Sequence, residues 1–165
     1  MITRRTAFRA LATGLAMLPA LPVPAQGKTI EIVEPWARAS VAGRNSAAYM
    51  TIVNHAGAKD ELVAASTPVA KVVELHTHLM EGGVMRMRPV QAIEVNVGEP
   101  AVLRPGGLHV MLIDLTRDLM PGETIQLSLR FRNAGERVVE VPVMPAGASG
   151  PAAHGHGHGQ HGHRH

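Results

Sequence analysis

The chain of 165 residues contains no cysteine. That absence excludes disulfide staples, a thiol redox centre and thiolate metal ligation. Aromatic residues are scarce, with two Phe, one Tyr and one Trp, and no Lys/Arg stripe is interleaved with them, so nucleic acid is excluded as a partner. A surplus of charge is missing as well. The formal net charge of +3 belongs to the first 25 residues, which hold Arg4, Arg5 and Arg9 and no acid; the remaining basic residues equal the 13 acidic ones. There is no nucleophile motif, Gly-rich phosphate loop or paired-carboxylate signature, so the chain reads as a binding protein and not an enzyme.

Long apolar runs are also lacking. The opening MITRRTAFRALATGLAMLPALPVPAQ places three arginines ahead of an apolar stretch from Ala10 to Leu21 and a small-residue site at Val23-Pro24-Ala25. This is the layout of a secretory signal peptide, and the stretch is too short for a membrane span. Cleavage is expected after Ala25, with a periplasmic destination by the general secretory or the twin-arginine route, the latter suggested by Arg4-Arg5. The mature chain is expected to have no membrane span.

What is present in quantity is β-prone sequence. Short runs at 29–33, 47–53, 61–65, 70–77, 93–97, 102–103, 109–115, 124–131 and 137–143 are separated by turn chemistry. Among the turns are Glu81-Gly82-Gly83, Pro105-Gly106-Gly107 and Asn133-Ala134-Gly135. Between 125 and 131, Ile125, Leu127, Leu129 and Phe131 alternate with polar residues, the period of a half-buried strand. The expectation is one all-β domain over residues 26–146, an antiparallel sandwich or barrel.

From Pro145 the composition turns to Pro, Ala, Gly and Ser and ends in HGHGHGQHGHRH. Residues 147–165 have nothing apolar enough to offset their ordering entropy and are expected to form a disordered tail. Its six imidazoles, His154 to His165, suit a borderline divalent metal, Cu(II) most strongly.

Four potential metal ligands lie in the middle of the chain. His109 and Met111, two apart in one β run, share a face just after the Pro105-Gly106-Gly107 turn. His76 shares a face with Glu74 and His78, and the Gly82-Gly83 turn folds Met85 and Met87 back towards it. A methionine within Val110-Met111-Leu112-Ile113 is by itself more often a core filler than a ligand. Met85 reads as core or rim packing, His78 as lying behind the ligands or in solvent, and His55 as a surface residue. Two imidazoles and two thioethers suit copper, Cu(I) in particular, and poorly suit Mg, Ca or Mn.

The spacing of His76, Met87, His109 and Met111, and the wording of ELHTHLMEGGVMRMRPV and LRPGGLHVMLIDL, resemble the periplasmic copper chaperones of the PCu(A)C type. The likeness extends from Ile30 to Val143. It implies a cupredoxin-like β-sandwich, one Cu(I) held by those four residues, and delivery to an acceptor. That acceptor would be the copper centre of cytochrome c oxidase, through an oxidase subunit or another copper chaperone. The alternative is a metal buffer or copper-resistance protein working through its His-rich tail.

Overall fold

A computed structural model describes residues 30–151; the signal segment 1–25 and the tail histidines lie outside the described residues. Ten strands make up the domain: β1 (Ile30–Arg38), β2 (Ser46–Asn54), β3 (Asp60–Ser66), β4 (Ala70–Glu81), β5 (Val84–Pro89), β6 (Ile93–Val95), β7 (Ala101–Leu103), β8 (His109–Leu115), β9 (Thr124–Phe131) and β10 (Gly135–Met144). Among the described residues there is no helix, and so none long and apolar enough to cross a membrane.

Hydrogen bonding runs in the order β5-β4-β8-β2-β1-β10-β9-β3-β6, with β7 paired to β2. All pairings are antiparallel except β1 with β10. That parallel contact joins a first layer, β5-β4-β8-β2-β1, to a second, β10-β9-β3-β6. The path folds over, so β3 lies against β4, and β6 against β2, without ladder bonds between them. The all-β, cupredoxin-like sandwich expected from the sequence is what forms.

The core follows from the pleat. Ile125, Leu127, Leu129 and Phe131 are buried while Gln126 and Arg130 face water. On the facing layer Leu75, Val110, Leu112, Ala48, Met50 and Ile52 supply the other half of the same cluster. In β4 and β8 the register sets Leu75 opposite Val110 and Val73 opposite Leu112, so the alternate residues Glu74, His76, Met111 and His109 must occupy the outer face.

A bulge in β1 matters for that outer face. Register slips between Val33 and Trp36, where Glu34 takes a φ of 48°. An extra residue reverses which side chains point inward. Ile32, opposite Ile52, packs on the core, but after the bulge Ala37 is the core residue and Trp36 turns outward opposite Tyr49. Trp36, Tyr49 and Ala47 then form a second, smaller apolar cluster beside His109, joined by Met144 and Ala148.

Replacing Leu129, which is fully buried, by alanine removes core contacts and leaves a cavity. We expect a loss of about 2–5 kcal/mol, against less than about 0.5 kcal/mol for Val138→Ala at an exposed position. Urea unfolding of both variants checks this; equal losses would contradict the assignment of the core.

Candidate metal centre

The outer face of β5, β4, β8 and β2 carries a cleft of about 440 Å³ whose lining includes Tyr49, His78, Met87, His109 and Met111. Three strands supply its donors. Antiparallel pairing sets His76 opposite His109, with ring centroids 5.7 Å apart. Met111 follows two residues along β8 on the same face, opposite Glu74. Met87 comes from the edge strand β5, where it pairs with His78.

The position of Met87 depends on the turn. Gly82 and Gly83 have φ of 59° and 80°, the pair of left-handed conformations needed by a two-residue hairpin loop whose twist matches its strands. This loop fixes the β4–β5 register, and with it the partnership of His78 with Met87, Met80 with Met85 and His76 with Pro89.

Thus the structure gathers His76, Met87, His109 and Met111 on one patch, although the cleft lining includes His78 and not His76. His78 is half-buried, its ring 5.2 Å from that of His109. Of the core and rim positions expected for Met85, exposure on the hairpin excludes the core. His55 is the expected surface residue, paired with Glu31 at 2.7 Å.

Hydrogen bonds determine which ring nitrogens are free. A carbonyl oxygen only accepts, so His109 donates from Nδ1 to the Gly107 oxygen at 3.0 Å, and Nε2 of the neutral ring keeps its lone pair. His78 also donates from Nδ1 to that oxygen, at 3.3 Å. For His76 the arrangement is inverted: Nε2 donates to the Glu74 carboxylate at 2.7 Å, and the lone pair falls on Nδ1, which is buried and has no hydrogen-bond partner.

An unsatisfied buried acceptor is costly in a folded protein, and a soft or borderline cation would satisfy it. The donor set fits such an ion: neutral imidazole and thioether, with no thiolate. Among the described residues no group of three His, Cys, Asp or Glu gathers to hold a metal, and the further donors on this face are the thioethers of Met87 and Met111. That combination favours Cu(I) over cations that prefer oxygen.

The Trp36–Tyr49 cluster walls the cleft. Their rings lie 4.5 Å apart, Tyr49 is 6.2 Å from the His109 ring, and the Arg38 guanidinium sits 5.5 Å from the Tyr49 centroid. Arg38 also donates to the Ala148 carbonyl at 3.1 Å, which draws the C-terminal stretch along the cleft rim. The roles of Arg38 and Tyr49 escape sequence reasoning because the β1 bulge is what aligns them. Glu74 was accessible to it, since residues two apart in a strand share a face.

Burial, helped by the nearby His78, His76 and Arg38, holds the His109 ring below its ordinary pKa, the Gly107 carbonyl bond partly opposing this. The ring therefore stays neutral, and able to ligate, at lower pH than a free histidine.

The comparisons with known proteins concern the fold and the family. The copper-bound PCuAC domain from PmoF2 superposes with a TM-score of 0.61 at 27% identity, covering 71% of this chain and 93% of that one. The Cu(I) form of DR1885 from Deinococcus radiodurans superposes with a TM-score of 0.53 at 29% identity, covering 73% of this chain and 83% of its own. The fold is that of the copper-binding PCuAC domains.

By sequence, the family described as "Putative lipoprotein LpqE-like" matches residues 30–143, and the chain belongs to that family. Among curated relatives, a "Putative lipoprotein" of Leifsonia xyli subsp. xyli is 27% identical over 86% of this chain and 89% of its own. An uncharacterized protein of Rickettsia prowazekii is 32% identical over 73% of this chain and 69% of its own.

The depressed His109 pKa has a sign that can be checked. As pH falls through about 6.5, the unfolded chain takes up this proton before the folded one, so stability is lost below that pH and unaffected above it. NMR titration of the His109 ring in the metal-free protein should give a midpoint below the ordinary value, and His109→Gln should lessen the loss of urea resistance between pH 7.5 and 5.5. A midpoint at or above the ordinary value would contradict the burial argument.

Proposed function

We propose that this protein is an exported, periplasmic copper chaperone that binds one Cu(I) through His76, Met87, His109 and Met111 and passes it to a copper-accepting protein. The observation that carries the reading is the His76 Nδ1, a buried lone pair with no partner, on a ring directly opposite His109. Two thioethers on the same face complete a four-donor set of the kind Cu(I) prefers. The copper-bound states of the similar PmoF2 domain and of DR1885 support it.

Binding and transfer, and not redox cycling, follow from the chemistry. A blue-copper electron-transfer site needs a cysteine thiolate, and the chain has none. Two imidazoles and two thioethers fill four positions and leave none for a substrate, so the role is that of a carrier and not an enzyme. The acceptor inferred from the family resemblance is the copper centre of cytochrome c oxidase, reached through an oxidase subunit or a second chaperone. Export is supported by the arginine-led, apolar opening of residues 1–25 and by the lipoprotein name of a relative.

The six tail histidines make up a second metal-binding element, for Cu(II), outside the described residues. A buffer or resistance protein would depend on that tail; a chaperone would not. Anaerobic Cu(I) titration against a competing chromophoric chelator separates the two. A chain lacking residues 152–165, cut beyond Ala148 so that the Trp36–Tyr49 cluster stays intact, should keep one tight equivalent. The His109→Ala, Met111→Ala double variant should lose it. Loss of tight binding on tail removal alone would overturn the four-ligand reading and leave the buffer.

Glu74 holds the His76 proton on Nε2, so Glu74→Leu should weaken Cu(I) binding without removing a ligand. Outer partners of ligating histidines are worth about 10–100-fold in affinity. The half-exposed Glu74 carboxylate places the expected loss near the lower end, and an unchanged affinity in the same chelator competition would contradict the role given to the pair.

A further inference from the structure

The β4–β5 hairpin carries more thioethers than the four-residue site uses. Beyond His78 on the same face comes Met80, and antiparallel register puts Met85 directly opposite it. Directly opposed side chains on one face of a hairpin have Cβ atoms about 5 Å apart, within reach of a shared ligand. Met80 is 64% exposed and Met85 52%, so neither fills a gap in a core, the usual duty of methionine.

The other face of the hairpin holds its charged residues, beside the exposed Leu79 and Val84. Glu81 pairs there with Arg88 at 2.8 Å and Arg86 at 3.6 Å, which keeps charge off the thioether side. From the tip inward, the outer face therefore presents Met80 with Met85, then His78 with Met87, then His76 with His109 and Met111. The cross-strand pairs stand about 7 Å apart along the strands.

We propose that Met80 and Met85 form a second, exposed Cu(I) site at the hairpin tip, where the ion enters and leaves, and that His78 and Met87 pass it to the inner donors. This rests on the four-residue reading above. Thioethers are soft ligands that select Cu(I), and two exposed ones hold it less tightly than four donors within a cleft, so the ion is drawn inward. Each step is ligand exchange: one donor lone pair replaces another, copper stays Cu(I), and no proton moves. His78 suits the relay because its Nδ1 proton is committed to the Gly107 carbonyl, leaving Nε2 as a donor. At the tip, an incoming protein's own ligands can reach the ion.

The test uses the full chain with carbon-13 at the methionine methyl groups, assigned through Met80→Leu and Met85→Leu. It is titrated with Ag(I) as a closed-shell stand-in and then with Cu(I) under anaerobic conditions. Metal on the tail histidines leaves these signals unmoved. The first equivalent should shift Met87 and Met111; further metal should shift Met80 and Met85 together. The Met80→Leu, Met85→Leu double variant should keep the tight equivalent yet exchange Cu(I) with a chelator about tenfold more slowly, a barrier change of about 1.4 kcal/mol. Leucine at these exposed positions preserves the hairpin and its ion pairs.

Met80 and Met85 methyls that stay put through several equivalents overturn the tip site. Methyls that move while exchange keeps its wild-type rate overturn the transfer role. If Met80 and Met85 shift but Met87 and Met111 do not, the four-residue reading fails while the tip site stands.

Discussion

Antiparallel pairing of β4 with β8 sets His76 opposite His109 and Met111 opposite Glu74, and the rest of the centre is arranged around that register. The pairing is fixed from the core side. Leu75 opposite Val110 and Val73 opposite Leu112 bury one face, and a slip of one residue would send these apolar side chains to solvent and the histidines into the core. Hydrophobic packing on one side of the layer thereby positions the polar donors on the other.

On that framework, hydrogen bonds decide what each ring can do. The Gly107 carbonyl accepts hydrogen bonds from Nδ1 of His109 and His78, and the Glu74 carboxylate accepts one from Nε2 of His76. Each ring, in its neutral form, then has one defined lone pair. Burial favours the neutral form of His109, and Tyr49, stacked against Trp36, lines the β2 side of the cleft. The open side is the hairpin, whose edge strand β5 is exposed along its length.

Parts of this were legible in the sequence for identifiable reasons. β8 and β9 match the expected runs end to end: β9 buries every second residue, and β8 is an almost unbroken apolar run that begins just after a Gly-rich turn. β5 does not stand out as a strand in its own right, since all of its residues are exposed; only the Gly82-Gly83 turn and the short alternation of Met85 and Met87 with Arg86 and Arg88 betray it. The bulge at Glu34 has no sequence signal, yet it turns Trp36 to the outer face. The orientation of His78 depends on a carbonyl 29 residues away, which no local pattern marks. Spacing and family resemblance marked the four proposed ligands; the long-range bonds that orient them could not be read from the sequence.

The central claim is that one Cu(I) is held by two imidazoles and two thioethers. Copper K-edge X-ray absorption measures that shell directly in the chain lacking residues 152–165, loaded anaerobically with one equivalent. Two nitrogen and two sulfur scatterers are the predicted first shell. A shell without sulfur, or one dominated by oxygen, would contradict the account.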